Sequence, residues 1–532
     1  MDEASIPAKP DPVAPATTPA NRTLWLITRV LPWLLGAVML AVYGVTLNHG
    51  LAQENFSEVA RAEGLIWTPS LVSPVTALAI WPFGWLPVVW TPLALNFFTA
   101  LCAAITLSWL ARAVALLPHD LTKQAAQQNR AWTFTPPPLM AHRLPWAPPL
   151  LAVLVCGLQL TFWENAVTAS GEIISLLLFA YVVRSFLEYN ASGRDAWLLR
   201  GALVYGLAVA NDWFMLLFFP VLLLTLIWVK RLFLINSHQF EEMVRHRNTI
   251  KWQLLWQIPA CWFAGVLLIL VLPLVASLTP AAPVKFWPAL LAGLEAYKSA
   301  VAHVPHTLLL TFLLIAVLPV FLMGLRFYHF LSSANRLNYF ISGMTFQLVY
   351  GFFMLVGLWI MMDAPISPRR LAPNLPTLPL YFLEALSLGF FAGHFLLTSA
   401  TQPKPARTGR LTSFERRDEQ LNSLTRLLKR AVLAGILLLT VAIPATLVFK
   451  NLPLVLRQRA NPCDTYLKQV EAALPPGGAV LIGNDSFRLL SLEADLRHLG
   501  RQQYHTGHCR SIIGPHYPLS HRYRYHYLYG NQ

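Results

Sequence analysis

Long runs of apolar residues recur along this chain, and they restrict its fold more than any other feature. The first run, Leu24 to Asn48, is long enough to cross the hydrocarbon core of a bilayer as a helix, which needs about 20 residues. Of the 532 residues, 56% are hydrophobic and only 12% are charged, whereas soluble proteins typically carry about 25% charged residues. The sequence therefore predicts a mainly α-helical, polytopic membrane protein. It excludes a cytosolic enzyme, a disordered chain, a collagen and a disulfide-stapled secreted scaffold.

Later apolar runs predict further membrane spans. Residues 201–229 have basic residues near both ends, which favours a hairpin of two short helices bent near Asn211 and Asp212, with one long span as the alternative. With the hairpin counted as two helices, the chain forms a transmembrane bundle of about eleven helices. The other predicted spans are residues 88–116, 147–163, 172–189, 253–278, 307–325, 339–362, 380–400 and 431–449.

The distribution of Lys and Arg predicts the orientation of this bundle. Cytoplasmic loops collect these residues, and the most basic loop, residues 404–430, is therefore placed inside. Within that loop, residues 415–430 indicate either an amphipathic helix on the inner leaflet or a plain connector. We expect a multi-pass protein of the plasma membrane with a cytoplasmic N-terminus and an outer C-terminal tail. A nucleic-acid partner is not expected despite the net charge of +15, because the basic residues are scattered over short loops.

Composition along the chain predicts three regions. Residues 1–23 are rich in proline and form a disordered cytoplasmic arm. Residues 24–450 form the bundle, whose first outer loop, residues 49–87, is punctuated by prolines and lies on or dips into the membrane. Residues 451–532 read as helix, strand, helix and strand, which predicts a small soluble extracytoplasmic α/β domain. If this tail is outside, Cys463 and Cys509 can form a disulfide.

Carboxylates next to predicted spans are the first candidates for chemistry. Glu54 and Glu58 are four residues apart, so on a helix both point the same way, and one of them could accept the proton of an attacking hydroxyl. A solvated loop helix is the alternative interpretation. Other outer-side side chains could contact a sugar or line its site: Trp163, Asn165, Glu172, Asn211 and Asp212.

An arginine pair is the second candidate. Arg369 and Arg370 lie in a proline-rich loop predicted to be outside, against the usual charge bias, and binding of a lipid phosphate explains them better than topology does. No cofactor and no metal are implied, because the clustered carboxylates are few.

Several segments in the same order resemble a known family. ENFSE is similar to the GDSGE segment of protein O-mannosyltransferase-like proteins, and WTPSLVSPVTALAIWPFGWLP is similar to the proline-rich stretch that follows it. FWENAVTASGE, YGLAVANDWFM and LPPGGAVLIGNDSF resemble three later segments. The chain is thus similar to diverged bacterial members of this family, whose functions are unknown, in the superfamily of C-type membrane glycosyltransferases. The resemblance extends over most of the chain at low identity.

This resemblance implies an inverting transfer of a sugar from a polyprenyl-phosphate donor to a hydroxyl of a glycan or protein acceptor at the outer face. It makes Glu58 the base or the carboxylate that orients the acceptor, with Glu54 next, and Asn55 a substrate-binding residue in place of one acid of the family's pair. The family's later Glu falls on Ser170, with Glu172 two places on. These departures leave an alternative, a catalytically inactive relative that acts as a membrane binding or assembly subunit. A transporter is a third reading, which the lack of an internal repeat disfavours.

Overall fold

The structure is a computed structural model. It describes residues 25–50, 52, 55–62, 72–87, 90–117, 144–229, 252–278, 285–302, 304–324, 336–372, 375–399, 413–459, 462–473, 479–483, 504–505 and 524–530. Glu54, Cys509 and the arm 1–23 lie outside these residues, as does the side chain of Cys463. The predictions made for them therefore stay predictions.

Helices dominate the described residues. In the first half of the chain they are α1 (Leu31–Thr46, preceded by a π-helical turn at Leu26–Val30), α2 (Phe56–Ala62), α3 (Pro74–Ile80), α4 (Thr91–Leu116), α5 (Ala147–Gly157), α6 (Leu160–Val167), α7 (Gly171–Ser192), α8 (Asp195–Asn211) and α9 (Phe219–Val229). In the second half they are α10 (Trp252–Val266), α11 (Val271–Leu278), α12 (Phe286–Ala302), α13 (His306–Phe312), α14 (Leu318–Gly324), α15 (Arg336–Met361), α16 (Pro368–Leu371), α17 (Leu378–Ser399), α18 (Ser413–Arg459) and α19 (Pro462–Ala473). Short 3-10 helices occupy Trp81–Trp85, Trp213–Phe218 and Leu267–Leu270, and a second π-helical turn occupies Leu313–Val317.

Five helical segments in the described part of the chain are long and apolar enough to cross a membrane, which is consistent with a mainly α-helical membrane protein. They are Leu26–Thr46, Thr91–Leu116, Trp256–Leu278, Leu378–Leu397 and Arg430–Arg459. The pair α5 and α6, bent by 69°, makes a sixth if counted as one span. The expected count of about eleven spans is therefore not supported by the described helices.

The predicted span 147–163 is broken by a buried amide. Gln159 stands between α5 and α6, where its Oε1 accepts a hydrogen bond from the Phe162 N–H at 2.8 Å, so it caps the second helix. Its Nε2 donates to Asp363 Oδ1 at 3.1 Å. Because Gln159 has the extended backbone of an N-cap residue, α5 ends before it and α6 begins after it in a new direction. This explains why the apolar run bends.

The helix predicted to bend near Asn211 and Asp212 does end there. α8 stops at Asn211, and Asp212 accepts a hydrogen bond from the Phe214 N–H at 3.0 Å to begin the 3-10 helix. The prediction of a break is confirmed at this position.

The core lies around α17. In the most apolar 18-residue stretch of α17, 89% of the residues are buried, whereas in that of the first span only 33% are. α17 is therefore central in the bundle, and the first span lies at its periphery. α17 packs against α5, α15 and α18, while α4 packs against α1 and α7, and α8 against α7 and α10. α18 continues through residue 450, where the bundle was predicted to end, and residues 413–430 belong to the same continuous helix.

The C-terminal residues include a helix and three strands. β1 (Ala479–Gly483) and β2 (Tyr504–His505) both pair antiparallel with β3 (Arg524–Gly530), in the order β1-β3-β2. The strand predicted for AVLIG is present as β1. The helix predicted after it, residues 484–500, lies outside the described residues, so the α/β domain stays a prediction.

Candidate functional site

Asn55 anchors the beginning of the first outer loop. It is fully buried, and its Oδ1 accepts a hydrogen bond from the Ala52 N–H at 2.7 Å. Its Nδ2 donates to the Gly50 carbonyl at 2.9 Å and to Asn96 Oδ1 at 3.2 Å. Asn96 Oδ1 also accepts from the Ala169 N–H at 2.6 Å, which links the loop to the turn before α7.

These bonds explain why an amide, rather than the acid of the resembling family, occupies position 55. A carboxylate could accept the Ala52 bond but could not donate to the other two oxygens. The structure therefore shows Asn55 in an anchoring role, and the substrate contact predicted for it stays a prediction.

Glu58 lies one turn further along α2 and is largely buried, with 8% of its surface exposed. Its Oε2 lies 3.6 Å from Arg61 NH1. Burial raises the pKa of the Glu58 carboxyl, and the nearby Arg61 charge partly opposes this rise. A methyl group built on Gly171 would lie 3.4 Å from Glu58 Oε1, so the carboxyl faces the first turn of α7.

Ser170 begins α7 at the place where the family carries a later acid. Its Oγ accepts a hydrogen bond from the Glu172 N–H at 3.2 Å, as a helix N-cap does. The same hydroxyl donates to Asn165 Oδ1 at 2.7 Å, while Asn165 Nδ2 donates to the Thr161 carbonyl at 2.9 Å. Ser170 and Asn165 thus hold the turn between α6 and α7 in shape.

Asn211 joins three segments at the same end of the bundle. Its Nδ2 donates to Thr76 Oγ1 at 3.1 Å and to Ser175 Oγ at 2.8 Å, and its Oδ1 accepts from the Thr76 N–H at 2.9 Å. A methyl group built on Gly171, which would face Glu58, would also lie 3.4 Å from Thr76 Cγ2. α2, α3, α7 and the end of α8 therefore converge here.

Two more carboxyls belong to this convergence. Glu172, in the first turn of α7, and Asp212, just after α8, lie within electrostatic range of each other. Asp212 also interacts electrostatically with Tyr297 of α12. The Glu58 cluster is defined here as Glu58, Thr76, Glu172, Asn211 and Asp212.

A groove of about 430 Å³ opens beside this cluster, between α12 and the end of α8. At its polar edge, Tyr297 donates a hydrogen bond to the Ala210 carbonyl at 2.5 Å and accepts one from the Ser73 N–H, which ties α12 to the first outer loop. Lys298 is exposed at the same edge. The remaining lining is apolar: Val209, Trp213, Leu216, Val301 and Ala302.

The predicted arginine pair is divided. Arg369 NH1 lies 2.8 Å from Glu164 Oε2, and the Arg369 N–H donates to the Tyr381 hydroxyl at 3.2 Å. Arg370 is exposed. Arg369 contacts Glu164, which precedes the turn held by Ser170 and Asn165. Glu58 faces Gly171, which follows that turn. Arg369 and Glu58 therefore lie at opposite ends of the same turn.

Trp163 lies inside the bundle. Only 1% of its surface is exposed, and its Nε1 donates to Thr46 Oγ1 at 3.0 Å. The structure therefore shows Trp163 packed in the core, and the sugar contact predicted for it stays a prediction.

Sequence reasoning missed four residues of this site. Gly171, Thr76 and Ser175 are small residues whose contacts come from other helices, and no local pattern indicates them. Tyr297 lies on α12, where aromatic residues are equally typical of a membrane interface.

Comparison with known proteins gives one family match. Residues 73–233 match the family described as Protein O-mannosyl-transferase TMEM260 N-terminal domain. This segment is less than a third of the chain, and it extends from the residue before α3 to just past α9, so it includes Glu172, Asn211 and Asp212 but begins after Glu58. No curated protein and no solved structure gives a match.

Proposed function

We propose that the protein is a membrane glycosyltransferase that moves a sugar from a polyprenyl-phosphate donor to a hydroxyl of a protein or glycan acceptor. The observation that carries this proposal is the convergence of Glu58, Glu172 and Asp212 beside a groove with apolar walls. The family match over residues 73–233 supports the same reaction class, and its name suggests mannose as the sugar and protein as the acceptor.

The acceptor hydroxyl needs a base, and Glu58 is the best placed candidate. A carboxyl whose pKa is raised by burial is a stronger base than an exposed one once it is ionised. The acceptor O–H gives its proton to the Glu58 carboxylate while the oxygen attacks the anomeric carbon. The bond from that carbon to the phosphate oxygen breaks with its electron pair on the phosphate, and attack from the opposite face inverts the anomeric centre. Glu54 stays the second candidate for this role.

The leaving lipid phosphate needs a cation and a place for its chain. Lys298 at the mouth of the apolar groove supplies a cation beside walls that suit a prenyl chain. The predicted arginines remain alternatives, with Arg370 exposed and Arg369 already held by Glu164. Glu172 and Asp212 are the proposed groups that orient the sugar, by accepting hydrogen bonds from its hydroxyls.

We place the Glu58 cluster at the outer face of the plasma membrane, with a cytoplasmic N-terminus. α7 and α8 support this orientation, because each has one end at the Glu58 cluster and the other near the exposed residues Arg194 and Arg200. The positive-inside bias puts an arginine-rich end in the cytoplasm.

The test is transfer of radiolabelled mannose from polyprenyl-phosphate mannose to protein, measured in membranes containing the full chain. Glu58→Gln should fold and lose transfer, whereas Glu295→Gln, a matched change at an exposed acid on α12, should retain it. Normal transfer by the Glu58 variant would remove this residue from the mechanism. Normal transfer by a Lys298→Gln variant would show that Lys298 is not the cation that binds the leaving phosphate.

A second function is favoured by one observation. Asn55 and Ser170 stand where the resembling family carries acids, and both are committed to structural hydrogen bonds. This is the pattern expected of an inactive relative that acts as a binding or assembly subunit. If membranes with the wild-type chain transfer no sugar while the chain co-purifies with a partner transferase, that second function holds instead.

A further inference from the structure

A cluster of arginines lies at the other end of the helices that form the Glu58 cluster. Arg112 of α4 is ion-paired with Glu188 of α7 through its Nε, and its NH1 donates to the Thr28 carbonyl at 2.6 Å. Arg184 Nε lies 3.5 Å from the same Glu188 oxygen. Two guanidinium groups thus share one carboxylate oxygen.

Aromatic rings extend the cluster. The guanidinium of Arg184 lies 5.5 Å from the ring centre of Trp109 and 5.8 Å from that of Trp197. The guanidinium of Arg200 lies 5.7 Å from the centre of the same Trp197 ring. We call Arg112, Arg184 and Arg200 with Trp109 and Trp197 the arginine cluster.

The arginine cluster has more positive charge than its carboxylate neutralises. Arg112 and Arg184 share the one carboxylate of Glu188, and Arg200 lies over the Trp197 ring, so within the cluster three positive charges accompany one negative charge. The side chains of Arg112 and Arg184 are only 21% and 20% exposed. Charges withdrawn from water to this degree require a counter-charge. The ordinary positive-inside bias concerns solvated loop residues and does not account for them.

Position indicates what supplies that counter-charge. Glu172 and Glu188 lie on one helix, sixteen residues apart, which corresponds to about 24 Å, close to the roughly 30 Å of a hydrocarbon core. Thr28 is near the start of the candidate span Leu26–Thr46, and Arg112 is near the end of Thr91–Leu116. The arginine cluster therefore lies at headgroup depth, where half-buried tryptophans are typical.

We propose that the arginine cluster binds the phosphate of an anionic phospholipid, in the leaflet opposite the Glu58 cluster. Guanidinium groups bind phosphate oxygens through paired, charge-assisted hydrogen bonds, and two of the three are already oriented by ring stacking. The site is independent of the proposed transfer reaction, because it lies about a bilayer thickness from the Glu58 cluster.

The experiment is native mass spectrometry of the full chain in detergent, with phosphatidylglycerol and phosphatidylcholine of identical acyl chains. We expect phosphatidylglycerol to be retained about tenfold better, and retention to fall about tenfold in Arg184→Gln and in Arg200→Gln. Arg194→Gln, a change at an exposed arginine at the start of the same helix, is the matched control and should retain the lipid. Arg200 is also exposed, so its replacement reports on binding even if Arg184→Gln impairs folding.

Three results would overturn the proposal. Equal retention of the two lipids would show that the phosphatidylglycerol charge is not recognised. Unchanged phosphatidylglycerol retention in Arg200→Gln would show that the cluster does not bind the phosphate. Full displacement of the lipid by inorganic phosphate would assign the site to a soluble anion.

Discussion

Replacing Asn55 with Asp tests the structural account of the family's missing acid. The change restores a carboxylate at this position but removes the two hydrogen bonds that Nδ2 donates to Gly50 and Asn96. The Gly50 carbonyl then loses this donor at a cost of about 1 to 3 kcal/mol, and the new carboxylate lies against Asn96 Oδ1, which keeps the Ala169 N–H. If the new carboxyl instead protonates to keep one bond, raising its pKa from about 3.9 to above 7 costs about 4 kcal/mol, since each unit corresponds to about 1.4 kcal/mol. The first route predicts a loss of about 1 to 3 kcal/mol plus the repulsion between the carboxylate and Asn96 Oδ1, and the second predicts a loss of about 4 kcal/mol, so we expect about 2 to 4 kcal/mol at neutral pH.

The assay is thermal unfolding of the detergent-solubilised full chain, followed by tryptophan emission. Asn190→Asp is the matched control, because that side chain is exposed on α7 and should change stability by only a few tenths of a kcal/mol.

The pH dependence identifies the cause. The folded pKa of the new carboxyl lies above its unfolded value, so the penalty is absent below the unfolded pKa, grows as pH rises and is complete above the folded pKa. The deficit of Asn55→Asp should therefore shrink toward pH 5. A variant as stable as the wild type at pH 7, or one that gains transfer activity, would refute the anchoring role of Asn55.

Four further predictions concern the same end of the bundle. Burial raises the pKa of Glu58 in the folded protein, so ionisation of this carboxyl opposes folding above its unfolded pKa. Glu58→Gln should therefore be more stable than the wild type at neutral pH and equally stable near pH 4. A lower melting temperature of the variant at pH 7 would contradict this. Gly171→Ala adds a methyl at ordinary contact distance from Glu58 Oε1 and should keep fold and transfer, whereas Gly171→Leu should displace the carboxyl and abolish transfer. Asn211→Ala removes three buried hydrogen bonds and should lower the free energy of unfolding by about 2 to 4 kcal/mol, so an unchanged melting temperature would count against its joining role. A double-mutant cycle with Glu164→Gln and Arg369→Gln should give a coupling of about 0.2 to 1 kcal/mol, because the Arg369 side chain is 39% exposed, and a much larger value would mean a more buried pair.

Much of the membrane architecture follows from the sequence alone. The apolar runs around Leu26–Thr46 and Thr91–Leu116 were predicted as spans, and both are long apolar helices in the structure. The length and composition of such a run determine by themselves whether it can cross the hydrocarbon core. The break after Asn211 was predicted for a similar reason, since two polar residues interrupt an apolar run with basic flanks. The carboxyl of Glu58 was also singled out from its position beside the spans.

Hydropathy could not show where an apolar run bends. Gln159 is one polar residue in an apparent span, yet its bonds to Phe162 and Asp363 end one helix and begin the next. In addition, the described apolar helices Trp213–Leu226 and His306–Val320 are shorter than a membrane span requires.

Only the tertiary structure decided which side chains meet. Asn55 bonds to Asn96, 41 residues away, and Glu164 pairs with Arg369, 205 residues away. Gly171 faces Glu58 because two helix ends pack together, and Trp163, whose aromatic face suggested a sugar contact, is enclosed by its neighbours. Apolar length determines which segments enter the bilayer, whereas the partners of a polar group depend on how those segments pack.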